Sequence, residues 1–327
     1  MTPEIAICIP TYNQAAFLAQ AVTSALTQRG ADCEVWVSDD ASTDETREVM
    51  RRFGAEPRVL YHRNNYNLGI GGNNNSLLRR PQATFIVRLD SDDVLGPEYA
   101  CTLAAELRRY PKAGYAHAAV REVDHLSQAR RERVLARKAG YEDPEDSLRA
   151  MAHGYRVAAN ICMFRRSAIT AVDFYRPGLD FAEDWDLAVR LADAGWGNVY
   201  ADAQLASYRV WSDAKNVRAR RKLAEIEGCR RVFAESLEPA FRRRHWPNGP
   251  LTRRRQELAA DHALGASSPV FTENEKAALV DALRALGDGP PLCRRLALLR
   301  LGFGGPLRWK GAAWLWSKDT IKRLIRS

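Results

Sequence analysis

Two short acidic motifs carry the strongest chemical signal in this sequence. The first consists of Asp90, Ser91, Asp92 and Asp93 and directly follows the apolar segment 84–89. Three carboxylates within four residues repel one another unless a cation or solvent neutralises them. Helix capping by Asp93 would explain one acid, but not three. Because Mg²⁺ and Mn²⁺ prefer oxygen ligands and often share substrate phosphates, the motif predicts a metal-and-phosphate site.

The second acidic motif closes the predicted strand 33–37. Asp39 and Asp40 stand before the predicted helix 43–53, so helix capping does not account for them. A carboxylate at this place can accept a hydrogen bond from a ring N–H of uracil or guanine, whereas neutral cytosine has no such proton. The pair therefore indicates a nucleotide-base pocket that favours uridine or guanosine over cytidine.

A third acidic motif, Glu183 and Asp184, lies at the start of the predicted helix 182–194. Acids in a first helical turn interact favourably with the helix dipole, which is a purely structural alternative. The functional interpretation is a general base that removes a proton from an attacking hydroxyl group. The neighbouring Trp185 could offer its ring face to an acceptor sugar or pack in the core, and the sequence leaves both open.

The elements that must position these motifs alternate between strand-like and helix-like segments. Predicted strands are 5–9, 33–37, 58–61 and 84–89, with helices at 14–28, 43–53 and from about 72. Such alternation predicts βαβ units and a mostly parallel sheet, in which ligands bind beyond the carboxyl ends of the strands. Farther along, the pattern predicts a charged surface loop at 121–147, a core segment at 157–164 and strands at 197–201 and 205–210.

The basic residues are concentrated at the C-terminus. The chain has 49 Lys and Arg against 40 Asp and Glu, a net charge of +9, and residues 291–327 alone hold nine basic residues and one acid. A general nucleic-acid binder carries its basic face on the folded body, so that class is disfavoured. The tryptophan-containing basic tail instead predicts peripheral contact with an anionic membrane, with packing on the catalytic domain as the alternative.

No signal peptide and no spanning helix are expected. The N-terminal segment lacks a basic region followed by an apolar stretch, and no run of about 18 uncharged apolar residues occurs. We therefore expect a cytoplasmic protein that is at most peripheral at the inner face of the membrane.

In their order, the motifs resemble those of the inverting family 2 glycosyltransferases of the GT-A fold. The matching segments are IAICIPTYNQAAFLAQAVTSALTQ, VWVSDDASTDET, NNYNLGIGGNNNS, FIVRLDSDDVLGPEYA and EDWDLAVRLADAG, over roughly residues 3–210. The resemblance implies an α/β fold: a GT-A-type nucleotide-binding sandwich with a mostly parallel central sheet. The catalytic domain is expected at 1–235, and a helical, basic C-terminal extension at 236–327.

The resemblance also implies the reaction. A sugar would pass with inversion from a nucleotide-diphosphate sugar, with UDP favoured, to the hydroxyl of a saccharide or lipid-linked acceptor. The arginine-rich composition, typical of GC-rich bacterial genomes, favours surface polysaccharide or glycolipid assembly. Asp92 with Asp90 would hold Mn²⁺ or Mg²⁺, and Asp184 would be the base with Glu183 beside it. The implied nucleotide-sugar contacts are Pro10, Thr11, Tyr12, Asn13, Asp39, Asp40, Asn75, Asp90 and Ser91.

Two positions depart from the family pattern. Asn74 stands where many relatives carry Arg, and Trp211 stands where they often carry a metal-binding His, so no third protein ligand is implied. Two other classes compete with the transferase. A nucleotidylyltransferase on a similar sheet should show a Gly-rich phosphate loop with a basic residue after the first strand, where this chain has PTYNQ. A nucleotide-sugar-binding protein without transferase activity would not need the intact Asp92 and Asp184.

Overall fold

The computed structural model describes residues 3–211, 217–266 and 268–303. The chain forms two compact units. Unit 1 comprises the chain up to residue 149 together with 155–179 and 187–212, and unit 2 comprises 150–154, 180–186 and the chain from 213 onward. Most of the basic tail for which membrane contact was predicted, from residue 304 onward, lies outside the described residues.

Unit 1 is built on a mixed β-sheet. Its strands are β1 (Ile5–Thr11), β2 (Cys33–Asp39), β3 (Val59–Arg63), β4 (Phe85–Arg88), β5 (Val94–Leu95), β6 (Ala113–Val123), β7 (Ala129–Arg133), β8 (Gly140–Glu142), β9 (Cys162–Arg165) and β10 (Gly197–Arg209). The order is β3-β2-β1-β4-β9-β6-β10-β5, with β7 beside β6 and β8 beside β10. The run β3-β2-β1-β4 is parallel, as is β6 with β10, whereas β9 pairs antiparallel with both its neighbours. The predicted α/β fold is confirmed.

Helices alternate with these strands along the chain, and those that pack on the sheet do so through apolar residues on one face. They are α1 (Ala15–Leu26), α2 (Thr46–Arg51), α3 (Gly69–Leu78), α4 (Tyr99–Arg109), α5 (Pro144–Met151), α6 (Arg166–Ala171) and α7 (Glu183–Asp193). Helix α1 buries Leu18, Val22 and Ala25, the spacing of one helical face, in a core shared with the apolar run of β1. This packing fixes where β1 ends and where the polar residues that follow it begin.

The sequence prediction was wrong in the second half of unit 1. The expected loop at 121–147 contains the end of β6 and the strands β7 and β8, since β7 pairs with β6 through its backbone although its residues are charged and largely exposed. The two strands expected at 197–201 and 205–210 are one strand, β10. Register shifts around Gln204 interrupt its pairing with β6, which explains why the apolar pattern appears as two segments.

Unit 2 is helical in its described part. It contains α8 (Val217–Arg220), α9 (Lys222–Arg231), a π-helical segment (Val232–Leu237), α10 (Glu238–Arg243), α11 (Gly249–Ala266), α12 (Glu273–Gly287) and α13 (Pro290–Arg300). The predicted helical C-terminal region is confirmed. The division predicted between residues 235 and 236 falls within the π-helical segment and stays a prediction. Among the described residues, no helix is both long and apolar enough to cross a membrane.

Candidate active site

Strand register gathers the predicted residues at one edge of the sheet. In the parallel β1–β2 pair, Pro10 stands opposite Ser38 and Thr11 opposite Asp39. Strand β1 also pairs in parallel with β4, which leads into the acidic turn at 90–93. Because parallel neighbours end at the same edge, the two acidic motifs of unit 1 lie along one rim, as the sequence predicts. We call the region that follows β2, which contains Asp39 and Asp40 and is the predicted place of the nucleotide base, the base end. We call the turn 90–93, with its three carboxyl groups, the acid end.

At the base end, Asp39 is a fully buried anchor. Its Oδ1 accepts a hydrogen bond from Ser42 N (2.8 Å), and its Oδ2 accepts from Tyr61 Oη (2.8 Å) and Arg63 Nη1 (2.6 Å). Burial raises the pKa of Asp39, but the hydrogen bonds from Ser42, Tyr61 and Arg63 together outweigh it and bring the pKa below its ordinary value. Asp39 therefore ties β2 to β3 and to the loop that follows β2, and its role in supporting a nucleotide pocket stays a prediction.

The neighbouring Asp40 has one oxygen fixed and one available. Its Oδ1 accepts from Leu68 N (2.8 Å) and Asn64 Nδ2 (2.9 Å), and its Oδ2 makes no hydrogen bond with another described residue. Asn64 Nδ2 also lies 3.1 Å from Asn73 Oδ1, which accepts from Ser38 Oγ at 2.7 Å. Sequence reasoning missed these two asparagines, although the Asn-rich stretch 64–75 was a visible signal.

The loop after β1 is tied to the loop after β2. Asn13 has a positive φ of 52°, its N–H donates to Ser42 Oγ (2.9 Å), and its Oδ1 accepts from Thr43 N (2.8 Å). Thr11 is buried, and its Oγ1 has no hydrogen-bond partner in the described part of the chain. The ring of Tyr12 is 48% exposed. A buried hydroxyl group without a partner and an exposed ring beside Asp39 are features that a bound base and ribose can use.

At the acid end, Asp90 is paired with a buried cation. Its Oδ1 accepts from Arg88 Nη2 at 2.7 Å, and Arg88 also donates to Asn74 Oδ1 (3.3 Å) and to the carbonyl oxygen of Asn160 (3.2 Å). Ser91 is buried in the turn. Sequence reasoning missed Arg88, whose signal is a single charged residue inside an otherwise apolar strand.

The other two acids of the turn carry charge that is only partly compensated. Asp92 Oδ2 accepts from Trp211 Nε1 (2.6 Å), and Asp93 Oδ1 accepts from Arg209 N (2.7 Å). Asp93 Oδ2 is buried without a partner among the described residues. Burial first, and then the charge of Asp90, raise the pKa of both Asp92 and Asp93. The acid end therefore holds carboxyl groups whose ionised forms are disfavoured by burial and by mutual repulsion.

The residues of the acid end fit a hard divalent cation whose coordination shell is completed by a bound ligand. Asp92 and Asp90 supply oxygen atoms and surplus negative charge, as such a cation requires. In the described ranges, no group of three or more His, Cys, Asp and Glu side chains is arranged to hold a metal ion by itself. Phosphate oxygens and water would have to provide the remaining ligands, which is usual for Mg²⁺.

The two acids predicted to include the general base, Glu183 and Asp184, stand at the start of α7, in a segment that belongs to unit 2. Asp184 is buried, and Glu183 precedes it. Trp185 is also buried: its Nε1 donates to the carbonyl oxygen of Met151 (3.1 Å), and its ring meets the edge of Phe233 at 5.4 Å. These are packing contacts, so the described geometry supports the core alternative for Trp185, and its contact with an acceptor stays a prediction.

Helices of unit 2 hold the segment that carries Asp184. Gly228 of α9 lies so close to the segment that a Cβ atom there would be 2.3 Å from the carbonyl oxygen of Phe181. Ser236 Oγ donates to Asp186 Oδ1 at 2.5 Å. The sequence gives no signal for either contact, because the partners lie far apart along the chain.

Asn75 faces a different neighbour from the one expected. Its Nδ2 donates to the carbonyl oxygen of Tyr175 (2.8 Å), and its Oδ1 accepts from Tyr175 N (2.9 Å). Both polar atoms of this side chain therefore fasten α3 to the backbone at residue 175. A role of Asn75 in binding a nucleotide-sugar stays a prediction.

A family model described as Glycosyl transferase family 2 matches residues 6–172, just over half of the chain. The chain belongs to this glycosyltransferase family. The match covers the base end and the acid end of unit 1, and it stops before Glu183 and Asp184. The resemblance drawn from the motifs is confirmed, while the individual roles of the site residues stay predictions.

Curated relatives of this glycosyltransferase include enzymes of polysaccharide and glycolipid assembly. It is 30% identical over 198 residues to chondroitin synthase of Escherichia coli, a match that covers 59% of this chain and 27% of that protein. It is 34% identical over 117 residues to the GalNAc(5)-diNAcBac-PP-undecaprenol β-1,3-glucosyltransferase of Campylobacter jejuni, covering 35% and 37%. The matched regions thus span about a quarter to two fifths of these relatives.

Solved structures share the fold at low sequence identity. S. aureus TarS, in complex with UDP-GlcNAc, has a TM-score of 0.56 at 15% identity, over 88% of this chain and 90% of that chain. A mannosyltransferase from Pyrobaculum calidifontis, in complex with GDP-Man and Mn²⁺, has a TM-score of 0.58 at 17% identity, over 99% and 86%. The expected GT-A-type fold is confirmed.

Proposed function

We propose that this glycosyltransferase transfers a sugar from a UDP-sugar to an acceptor hydroxyl group, with inversion and with a divalent cation. The observation that carries the proposal is that two suitable groups of side chains lie on one rim of unit 1. The base end has a carboxylate with an available oxygen, Asp40, and the acid end has three carboxyl groups in one turn, Asp90, Asp92 and Asp93. A nucleoside diphosphate with its cation matches both ends.

The base end would select the nucleotide. With Oδ1 held by Leu68 and Asn64, Asp40 keeps Oδ2 to accept the N3–H of uracil. The exposed ring of Tyr12 offers an apolar face to the base, and the buried hydroxyl of Thr11 a polar partner. The solved neighbours include one complex with UDP-GlcNAc and one with GDP-Man, which supports a nucleotide-sugar donor, and the choice of uridine over guanosine rests on the family resemblance.

The acid end would hold the diphosphate through a cation. Asp92, together with Asp90, would bind Mn²⁺ or Mg²⁺, which when bound neutralises the charge of the leaving diphosphate. Arg88 would hold the side chain of Asp90 in place through its hydrogen bond to Oδ1. The Mn²⁺ complex of the mannosyltransferase supports this cation dependence.

Asp184 would be the general base. Its carboxylate takes the proton of the acceptor hydroxyl while the hydroxyl oxygen forms a bond to the anomeric carbon of the donor. The bond from that carbon to the diphosphate oxygen breaks in the same step, and the electron pair leaves with the diphosphate. A single displacement of this kind inverts the anomeric centre.

The acceptor would be a growing saccharide or a lipid-linked saccharide of a bacterial surface polymer or glycolipid. The names of the relatives support this class, since one is a chondroitin synthase and another acts on an undecaprenol-linked saccharide. Neither name identifies the acceptor of this chain.

A donor panel tests the proposal. Release of nucleoside diphosphate is measured for UDP-, GDP- and CDP-sugars, with Mn²⁺ and with a chelator. We expect turnover with a UDP-sugar that requires the cation. Nucleotide-sugar binding without release under any condition would instead indicate a binding protein.

Replacing the proposed general base, Asp184, separates the chemical step from nucleotide binding. Asp184→Asn keeps the size of the side chain but cannot take a proton, so turnover should fall by about 10²-fold or more while UDP affinity stays unchanged. Asp193→Asn, at the other end of the same helix, is the matched control and should retain activity. A larger loss in Glu183→Gln than in Asp184→Asn would make Glu183 the base.

A further inference from the structure

Trp211 makes an unusual contact with the acid end. It lies two residues beyond the end of β10, and its indole Nε1 donates to Asp92 Oδ2 at 2.6 Å. Its side chain is 46% exposed, although tryptophan normally buries most of its surface. A ring left this accessible and bonded to an acidic residue calls for an explanation beyond packing.

The orientation of the indole is fixed on two sides. Its ring meets Phe17 edge-on at a centroid distance of 5.1 Å, and the guanidinium group of Arg209 stacks on the same Phe17 ring at 4.4 Å. Aromatic and cation–π contacts of this kind favour one arrangement of the groups that make them. Trp211 is therefore held in the position from which its N–H reaches Asp92.

The same strand end also holds the backbone of the acidic turn. Arg209 N donates to Asp93 Oδ1 (2.7 Å), and Arg209 Nε donates to the carbonyl oxygen of Asp92 (2.9 Å). These two bonds place the turn and do not involve the carboxyl group of Asp92. Among the described residues, Trp211 donates a hydrogen bond to this side chain at Oδ2, and no hydrogen bond from another residue is made to Oδ1.

We infer that Trp211 is a positioning residue that holds Oδ2 of Asp92 and so presents Oδ1 to the divalent cation of the bound nucleotide. The inference rests on the proposed function, because it requires that a cation binds with the nucleoside diphosphate. Hydrogen bonds that orient a ligating side chain commonly matter 10- to 100-fold for metal affinity. Here a tryptophan would supply orientation without being a ligand.

The test measures Mn²⁺ affinity without turnover. Full-length protein is saturated with UDP and titrated with Mn²⁺, and free Mn²⁺ is followed by electron paramagnetic resonance. Trp211→Phe keeps a ring against Phe17 but removes the N–H, so Mn²⁺ affinity should fall by about 10- to 100-fold. UDP affinity in a chelator and the unfolding temperature should stay close to those of the wild type.

Trp36→Phe is the matched control. The Nε1 of Trp36 in β2 is buried without a hydrogen-bond partner among the described residues, so this variant removes an indole N–H and breaks no bond. Its Mn²⁺ affinity should equal that of the wild type. Phe17→Leu is a second variant, which removes the ring that orients Trp211 and should weaken Mn²⁺ binding in the same direction by less.

The outcomes separate this inference from the proposed function. If the UDP-saturated wild type binds no Mn²⁺, the cation dependence itself fails and the inference fails with it. If the wild type binds Mn²⁺ and Trp211→Phe binds it equally well or more tightly, the positioning role is overturned while the cation dependence stands. An equal loss in Trp36→Phe would also overturn it, because the effect would then not be specific to the bond with Asp92.

Discussion

The base end and the acid end lie on the same rim of one sheet, yet they are built in opposite ways. At the base end, Asp39 is satisfied by Ser42, Tyr61 and Arg63, and its pKa is lowered. At the acid end, Asp92 and Asp93 are desolvated beside Asp90, and their pKa values are raised. One end is stable without a ligand, and the other carries a free-energy cost that a cation would relieve.

This difference indicates what each end contributes to binding. A group whose hydrogen bonds are complete is preorganised, so the proposed nucleotide would meet it without rearrangement. A cluster of repelling carboxylates gains affinity for cations because binding removes the repulsion. We therefore expect substitutions at the acid end to separate function from stability, and substitutions at the base end to affect both together.

The largest effect is expected from Asp92→Asn at the acid end. The amide keeps the shape of the side chain but removes the charge that would bind the cation, so turnover with a UDP-sugar and Mn²⁺ should fall by about 10³-fold, or about 4 kcal/mol of transition-state stabilisation. The same change removes one of three repelling acids. The unfolding temperature of the metal-free protein should therefore rise, as measured by circular dichroism.

Glu106→Gln, at a partly buried position of α4, serves as the control for removing a negative charge elsewhere in unit 1. It should leave both turnover and the unfolding temperature close to those of the wild type. A loss of stability in Asp92→Asn would contradict the view that the acid end is strained by its own charge.

At the base end, Asp39→Asn should cost stability. Loss of the carboxylate leaves the hydrogen-bond donors of Tyr61 and Arg63 poorly paired, and since Arg63 is partly exposed we expect a loss of about 2–3 kcal/mol in the free energy of unfolding. Urea denaturation at neutral pH measures it, and UDP affinity should fall as well.

The pH dependence gives this prediction a sign. Because the pKa of Asp39 is lowered in the folded protein, its stabilising contribution is present above the unfolded value of about 3.8 and is lost as the pH falls through the folded value. The stability difference between wild type and Asp39→Asn should therefore shrink below about pH 3.8. A difference that does not change with pH would mean that packing, and not charge, holds the base end together.

The contrast also shows what the sequence can predict. The apolar runs of β1, β2 and β4, each followed by polar residues, were enough to predict the parallel half of the sheet and the rim on which the acids lie. The strand β7 was missed because its charged residues pair through the backbone alone. A local apolar pattern reveals a strand only where its side chains are buried, and the side chains of β7 are largely exposed.

Partners that are distant along the chain were invisible for a different reason. Trp211 and Asp92 are 119 residues apart, and Arg63 lies 24 residues beyond Asp39. Residue type and spacing identified the acids, but the donors that divide them into a satisfied end and a strained end come from other strands. The position of the acids on one rim was thus within reach of the sequence, and the difference between their surroundings was not.

The smallest and most specific effect is expected from Asp40→Asn, which tests how the base end selects the nucleotide. The N–H of Leu68 and the amide of Asn64 both donate to Oδ1, so they should hold the amide oxygen of the new asparagine in that place. Its NH₂ group then takes the position of the available Oδ2 and becomes a donor. Uracil N3–H would face another donor, whereas N3 of cytosine is an acceptor. UDP affinity should fall by about 10-fold and CDP affinity should rise, a change of about 1–2 kcal/mol in relative affinity measured by calorimetry with both nucleotides.

Asp44→Asn, in the following loop, should leave the preference for UDP unchanged. If Asp40→Asn weakens both nucleotides equally, Asp40 supports the pocket as Asp39 does and does not contact the base.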